Sequence, residues 1–103
     1  MKPYDPKQDR DRMLLASIDY AAKNDRTWHA ASLVRHFAKG PGVDGCFIEI
    51  YGADWRRLRR MRDEGLIERK ISALGCPLYQ LTPMGSERLQ DVSKPIKRRA
   101  RKA

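Results

Sequence analysis

Arg56, Arg57, Arg59 and Arg60, four arginines within five positions, are the residues of this chain whose type and spacing best suit a chemical task. A guanidinium is permanently charged, and its planar fork matches a phosphate or the edge of a guanine. Placed on a helix at about 100° per residue, the four span an arc of about 160°. Phe47, Tyr51, Trp55, Leu58 and Met61 share the opposite stripe, and Gly52 and Ala53 lie on the arginine side one turn earlier. The chemistry suggested is polyanion recognition rather than bond making. Groups that could react do not assemble. Asp63 and Glu64 are adjacent at a helix end and diverge. His29 and His36, read on one helix, stand about 10.5 Å apart along its axis, too far to share a metal ion. Cys46 and Cys76 lie far apart with no CxxC pairing, so they predict neither a disulfide framework nor a zinc knuckle. A Gly-rich phosphate loop, a nucleophile elbow and a metal triad are all missing from the sequence. The expectation is therefore a non-enzyme with no cofactor, no metal and no small-molecule substrate.

The charge distribution agrees. Lys and Arg number 22 against 13 Asp and Glu in 103 residues, a formal +9. Residues 1–54 hold 8 basic and 8 acidic side chains, so the whole surplus lies beyond them. Within the second half, residues 55–91 contribute +3 and residues 93–103 contribute +6. Such a gradient marks one end of the molecule as a polyanion docking surface. A chain of 11.9 kDa makes one small domain. No apolar stretch approaches the roughly 18 to 20 residues of a membrane span, and Met1-Lys2-Pro3-Tyr4-Asp5 lacks a secretion signal's apolar run, so the expected compartment is the cytoplasm, with no membrane partner.

The elements that must position the arginines follow from periodicity. Asp5 or Asp9 caps a first helix over about 6–23, with Met13, Leu14, Ile18, Ala21 and Ala22 on one stripe. Ala30, Leu33, Val34 and Phe37 fall at i, i+3, i+4 and i+7 and predict a second helix over about 28–38, stopped by Gly40-Pro41-Gly42. The arginine helix closes near Glu64, with Gly65 as a left-handed stop and Leu66 folding back on Met61. Its start has two readings: one long helix from Asp44, or a short strand Cys46–Tyr51 followed by a helix of about 11 residues. Period 2 then takes over in Leu66–Ile71 and Leu78–Thr82, a hairpin around Ser72-Ala73-Leu74-Gly75-Cys76-Pro77. Thr82 caps a last helix with Pro83 at its first position. The domain is expected to end at residue 92, and residues 93–103 read as a disordered basic tail. Trp28 and Trp55 read as core anchors rather than base-stacking platforms, Trp55 because it lies on the apolar stripe.

Leu58-Arg59-Arg60-Met61-Arg62-Asp63-Glu64-Gly65-Leu66-Ile67-Glu68-Arg69 followed by Leu78-Tyr79-Gln80-Leu81-Thr82-Pro83-Met84-Gly85 resembles the recognition helix and wing of bacterial and phage winged helix-turn-helix regulators. The resemblance covers roughly residues 9–91 and is carried mainly by 55–85. Residues 39–51 are longer than the tight turn the family places between its second and third helices, and the tail is an addition. The fold it implies is mainly α with a small β-hairpin: three helices, a wing and a C-terminal helix.

What the resemblance implies is sequence-specific binding of double-stranded DNA by a small prokaryotic or phage transcriptional regulator. Arg56, Arg57 and Arg60 would enter the major groove, with Gly52 and Ala53 permitting close approach and Arg59 reaching phosphate. Arg69, Lys70 and Ser72 of the wing would touch backbone, and Lys97, Arg98, Arg99, Arg101 and Lys102 would follow phosphates or enter a minor groove. A homodimer reading two half-sites is compatible with this scheme. The rival readings are a protein-interaction module, such as a winged-helix adaptor or a phage-encoded inhibitor docking on an acidic host surface, and an RNA-binding protein. A solvated arginine face with no partner is the plainest alternative.

Overall fold

A computed structural model describes residues 4–30 and 34–96. A 3-10 turn at Pro6–Gln8 leads into α1 (Arg10–Lys23); β1 (Arg35–Gly40) and β2 (Val43–Glu49) follow, then α2 (Gly52–Asp63), β3 (Ile67–Ile71), β4 (Pro77–Leu81) and α3 (Pro83–Gln90). The strands form two separate antiparallel two-stranded sheets. The protein is thus α+β, about 41% helix and 26% strand among the described residues, and the expected mainly α winged helix-turn-helix is corrected accordingly. No described helix is long and apolar enough to cross a membrane.

The correction centres on residues 28–38. Trp28–Ala30 are not helical, and Arg35–Gly40 is a strand registered against β2, with Phe37 opposite Phe47 and Ala38 opposite Cys46. Of the residues on the expected helical stripe, Ala30 is buried and Phe37 contacts Tyr20 and Phe47 at 4.8 and 5.1 Å between ring centroids, Leu33 lies outside the described residues, and Ala38, off that stripe, is inserted into the core. Gly40-Pro41-Gly42 is a hairpin turn rather than a helix stop. Pro41 fixes its second position and Gly42, at φ 75°, its third. A Cβ at Gly42 would also stand 2.6 Å from the Pro6 Cβ. With no described helix between α1 and α2, the arginine helix is not the second limb of a helix-turn-helix.

Elsewhere the local signals translate directly. Asp9 caps α1 by accepting the Arg12 N–H (3.2 Å), and the strand-then-helix alternative describes 43–63. Gly65 adopts φ 82°, and the Leu66 N–H donates to the Met61 carbonyl (2.9 Å) while Gly65 donates to Arg62 (3.0 Å), the paired bonds of a Schellman ending. Thr82-Pro83-Met84-Gly85 locks the second sheet to that ending. The Thr82 hydroxyl donates to the Gly65 carbonyl (2.5 Å) and accepts from the Gly85 N–H (3.0 Å), and the Thr82 N–H donates to Leu66 (3.1 Å). A Cβ on Gly85 would fall 1.9 Å from the Leu66 carbonyl oxygen, so only glycine lets α3 approach. The residues that carried the resemblance therefore fix the β3–β4 hairpin against the end of α2.

Leu14, Leu15 and Ile18 of α1 form the centre of the core with Ala38, Ile48, Ile50, Leu58, Met61, Leu66, Ile67 and Leu89. Trp28 is buried as expected: its indole N–H donates to Ser17 (2.6 Å) and its ring stacks on His36 and meets Tyr79 edge-on. Ile96 is fully buried, and its N–H donates to Asp9 (2.7 Å), so the folded chain runs four residues past the expected boundary at 92. Arg12, also fully buried, holds that segment. Its guanidinium donates to the carbonyls of Pro41, Leu89, Asp91 and Lys94 and to the Tyr4 hydroxyl. A buried cation with no hydrogen-bonded carboxylate is thereby solvated by carbonyls, including that of Leu89 in the negative last turn of α3.

Candidate nucleic-acid interface

Rotating α2 to its observed setting divides the arginines into two sets. Its buried residues are Asp54, Leu58 and Met61, so the inward stripe is centred on a carboxylate as much as on the apolar groups. Asp54 can be buried because it is paired. Arg10 of α1 donates to both of its oxygens (3.0 and 2.6 Å), and the Tyr51 N–H donates to Oδ2 (3.0 Å), bonding an otherwise open N–H at the helix start. Burial works to raise the Asp54 carboxyl's pKa, yet these hydrogen bonds and the charges of Arg10 and Arg57 hold it below the ordinary value. Asp11 of α1, 1% exposed, makes the reciprocal contact with Arg60 and with Arg57 (3.5 Å). There burial wins, and the Asp11 carboxyl is raised against the pull of Arg60 and Arg57.

Arg57 and Arg60, both expected to enter a groove, are therefore neutralised by buried acids and brace α2 against α1. Arg56 and Arg59 are exposed, and neither forms an ion pair with a described residue. They line a cleft of about 450 Å³ between α2 and the second hairpin, together with Trp55, Arg62, Arg69, Leu58 and Tyr79. Trp55, Leu58, Arg59 and Arg62 succeed one another at helical spacing along the rim that faces the hairpin. Arg69 sits opposite Tyr79 in the β3–β4 register, which brings it to the same cleft.

The remaining expected site residues distribute as follows. Gly52 and Ala53 are exposed in the first turn of α2, and a Cβ at Gly52 would meet nothing within 4 Å. Lys70 alternates to the other face of β3, where it lies 3.7 Å from Glu68. Ser72 is occupied within the turn, its hydroxyl accepting the Cys76 N–H (3.1 Å). Lys97, Arg98, Arg99, Arg101 and Lys102 lie outside the described residues.

Three residues of the cleft and its supports escaped the sequence reading. Trp55 is 40% exposed in the cleft rather than a core anchor, because the inward stripe is turned toward Asp54 and leaves the indole on the rim. Arg62 and Arg10 were missed too. Arg62 continues the Trp55 rim at i+7, a signal present in the sequence; Arg10 is recognisable only from its distant partner Asp54. The helical separation expected of His29 and His36 also falls, since their rings meet edge-on at 6.4 Å. Burial lowers the His36 pKa. No cluster of three His, Cys, Asp or Glu able to hold a metal occurs among the described residues. No protein-family model, curated protein or solved structure matches the chain.

Proposed function

We propose that the protein binds double-stranded DNA through the outward face of α2 and the β3–β4 hairpin, acting by occupying a site, as a small prokaryotic or phage regulator does. One observation carries this reading. Arg56, Arg59, Arg62 and Arg69 converge on one cleft without ion pairs to described residues, while the neighbouring Arg57 and Arg60 are already neutralised. Four uncompensated guanidiniums on one rim favour an anionic partner, and a helix flanked by a hairpin can follow the curvature of a duplex. The basic residues beyond 93 add charge that is independent of sequence.

The test is an anisotropy titration of a random-sequence and then a selected duplex across a salt series. Changing Arg56 and Arg59 together to Ala is expected to leave the melting temperature unchanged. It should weaken binding and lower the salt slope by about 0.9 for each phosphate that the variant no longer neutralises. Unaltered affinity and slope would reject the reading. A protein partner is favoured by a different feature, Leu74, 90% exposed at the hairpin tip. Under that reading Leu74→Ser, and not the arginine pair, would abolish capture of a partner, and duplex binding would be absent from the start.

A further inference from the structure

We infer that the cleft between α2 and the β3–β4 hairpin receives one unstacked base of single-stranded DNA, with Trp55 as its stacking face, so that the preferred target is a duplex that continues into a single strand. The inference rests on the DNA-binding reading above and narrows its target. The two tryptophans differ in what covers them. Trp28 has every surface used: a hydrogen bond to Ser17, a stacked ring at 4.5 Å and an edge contact at 5.6 Å. Trp55 has none of these. Among the described residues its indole forms no ring pair and no side-chain hydrogen bond, and the one described cation over an aromatic face is Arg35 over Phe47 at 4.7 Å. Four arginines stand around the indole, yet none of them occupies its face.

An exposed indole in a cationic cleft suits a particular ligand. A base inside a duplex has both faces covered by its neighbours, whereas an unpaired base offers a π-face of about the area of an indole. The buried Leu58 and Tyr79 line the cleft beside Trp55, and the exposed Arg59, Arg62 and Arg69 line it too, so a flat ring and the phosphates on either side of it find matching surfaces together. A volume of about 450 Å³ falls within the range of sites that take small ligands. Duplex phosphates satisfy the arginines alone; only a displaced base also uses Trp55.

The experiment compares three labelled probes with the full chain: a blunt duplex, the same duplex carrying a short oligo-dT overhang, and that overhang made of ribose uridines. The overhang duplex is expected to bind at least ~5-fold tighter than the blunt one, the lower end of what one base–aromatic stack contributes. It should also quench tryptophan fluorescence. Trp55→Phe supplies the background from Trp28 and is expected to retain part of the preference. Trp55→Ala should equalise the two DNA probes when both are titrated at a temperature at which the variant is folded. Equal affinity of wild type for blunt and overhang DNA, or a preference that survives Trp55→Ala, overturns the inference, and tighter binding of the uridine overhang overturns its assignment to DNA. If Arg56→Ala with Arg59→Ala leaves blunt-duplex binding intact while the overhang effect persists, the duplex reading fails and the Trp55 site stands.

Discussion

The two edges of α2 use one side chain for opposite purposes. Arg57 and Arg60 face α1, retain side-chain exposures of 35% and 29%, and end on carboxylates that are almost wholly buried. Arg56 and Arg59, each next in sequence to one of them, end in a solvent-filled cleft. A run of arginines thus has no single meaning. Its meaning is set residue by residue by whether the adjoining element offers an acid, and α1 offers Asp11 while the second hairpin offers Tyr79 and Arg69. The inner pair should govern stability and leave DNA affinity alone; the outer set should do the reverse.

The largest effect should come from removing the acid that organises the inner edge. Asp54→Ala leaves the Arg10 guanidinium with the Glu49 carbonyl as its remaining described acceptor, Arg57 with Asp11 as its remaining acid, and the Tyr51 N–H without its acceptor. Breaking a buried, hydrogen-bonded pair at one partner typically costs about 3 kcal/mol. Urea denaturation is expected to show a loss of that order, and a loss below about 1 kcal/mol would mean that the inner edge is as solvated as the outer.

Next is the double change Arg57→Ala with Arg60→Ala. It leaves Asp11, 1% exposed, with no countercharge from α2. A cost of about 2 kcal/mol is expected, since the carboxylate must then either stay ionised in a poor environment or take up a proton. In the fraction that remains folded, duplex affinity and its salt slope should match wild type. A fall in slope comparable to that of the Arg56 and Arg59 pair would abolish the distinction between the two edges.

Legibility in the sequence follows the range of the interactions. The end of α2, the β3–β4 hairpin and the capped start of α3 were readable because Gly65, the Ser72–Cys76 turn and Thr82-Pro83 act on residues within a few positions of themselves. Residues 28–40 were not. Ala30, Leu33, Val34 and Phe37 fit a helical stripe, and only pairing with β2 turns Arg35–Gly40 into a strand. The turn glycines mark a reversal in either case and do not say what precedes it. The site divides the same way. Arg56, Arg59 and Arg69 were identified on the arginine face and hairpin, but the fates of Arg57, Arg60 and Trp55 depended on a buried carboxylate in the apolar stripe. Asp54 is held by Arg10 from 44 residues away, and Arg12 reaches Lys94 across 82. Periodicity treats a charged residue as outward-facing, so a buried ion pair inverts its prediction at the positions involved.

The smallest effect separates the two buried acids from each other by the sign of their pH dependence. Asp54 has its folded pKa below the ordinary 3.8, so on acidification the unfolded chain takes up its proton first. Stability from Asp54 is therefore present above that value and is lost as pH falls through the folded pKa. Asp11 is raised above 3.8, so the folded protein takes up its proton first, and acidification from the raised value down to about 3.8 adds stability. In wild type the two contributions partly offset. Urea midpoints followed down the acid limb should fall less steeply in Asp54→Asn, which removes the loss, and more steeply in Asp11→Asn, which removes the offset. Flattening in both variants would show that Asp11, like Asp54, is stabilised as an anion by Arg60 and Arg57. The inner edge would then be two strong ion pairs instead of one strong pair and one buried acid that its arginines only partly compensate.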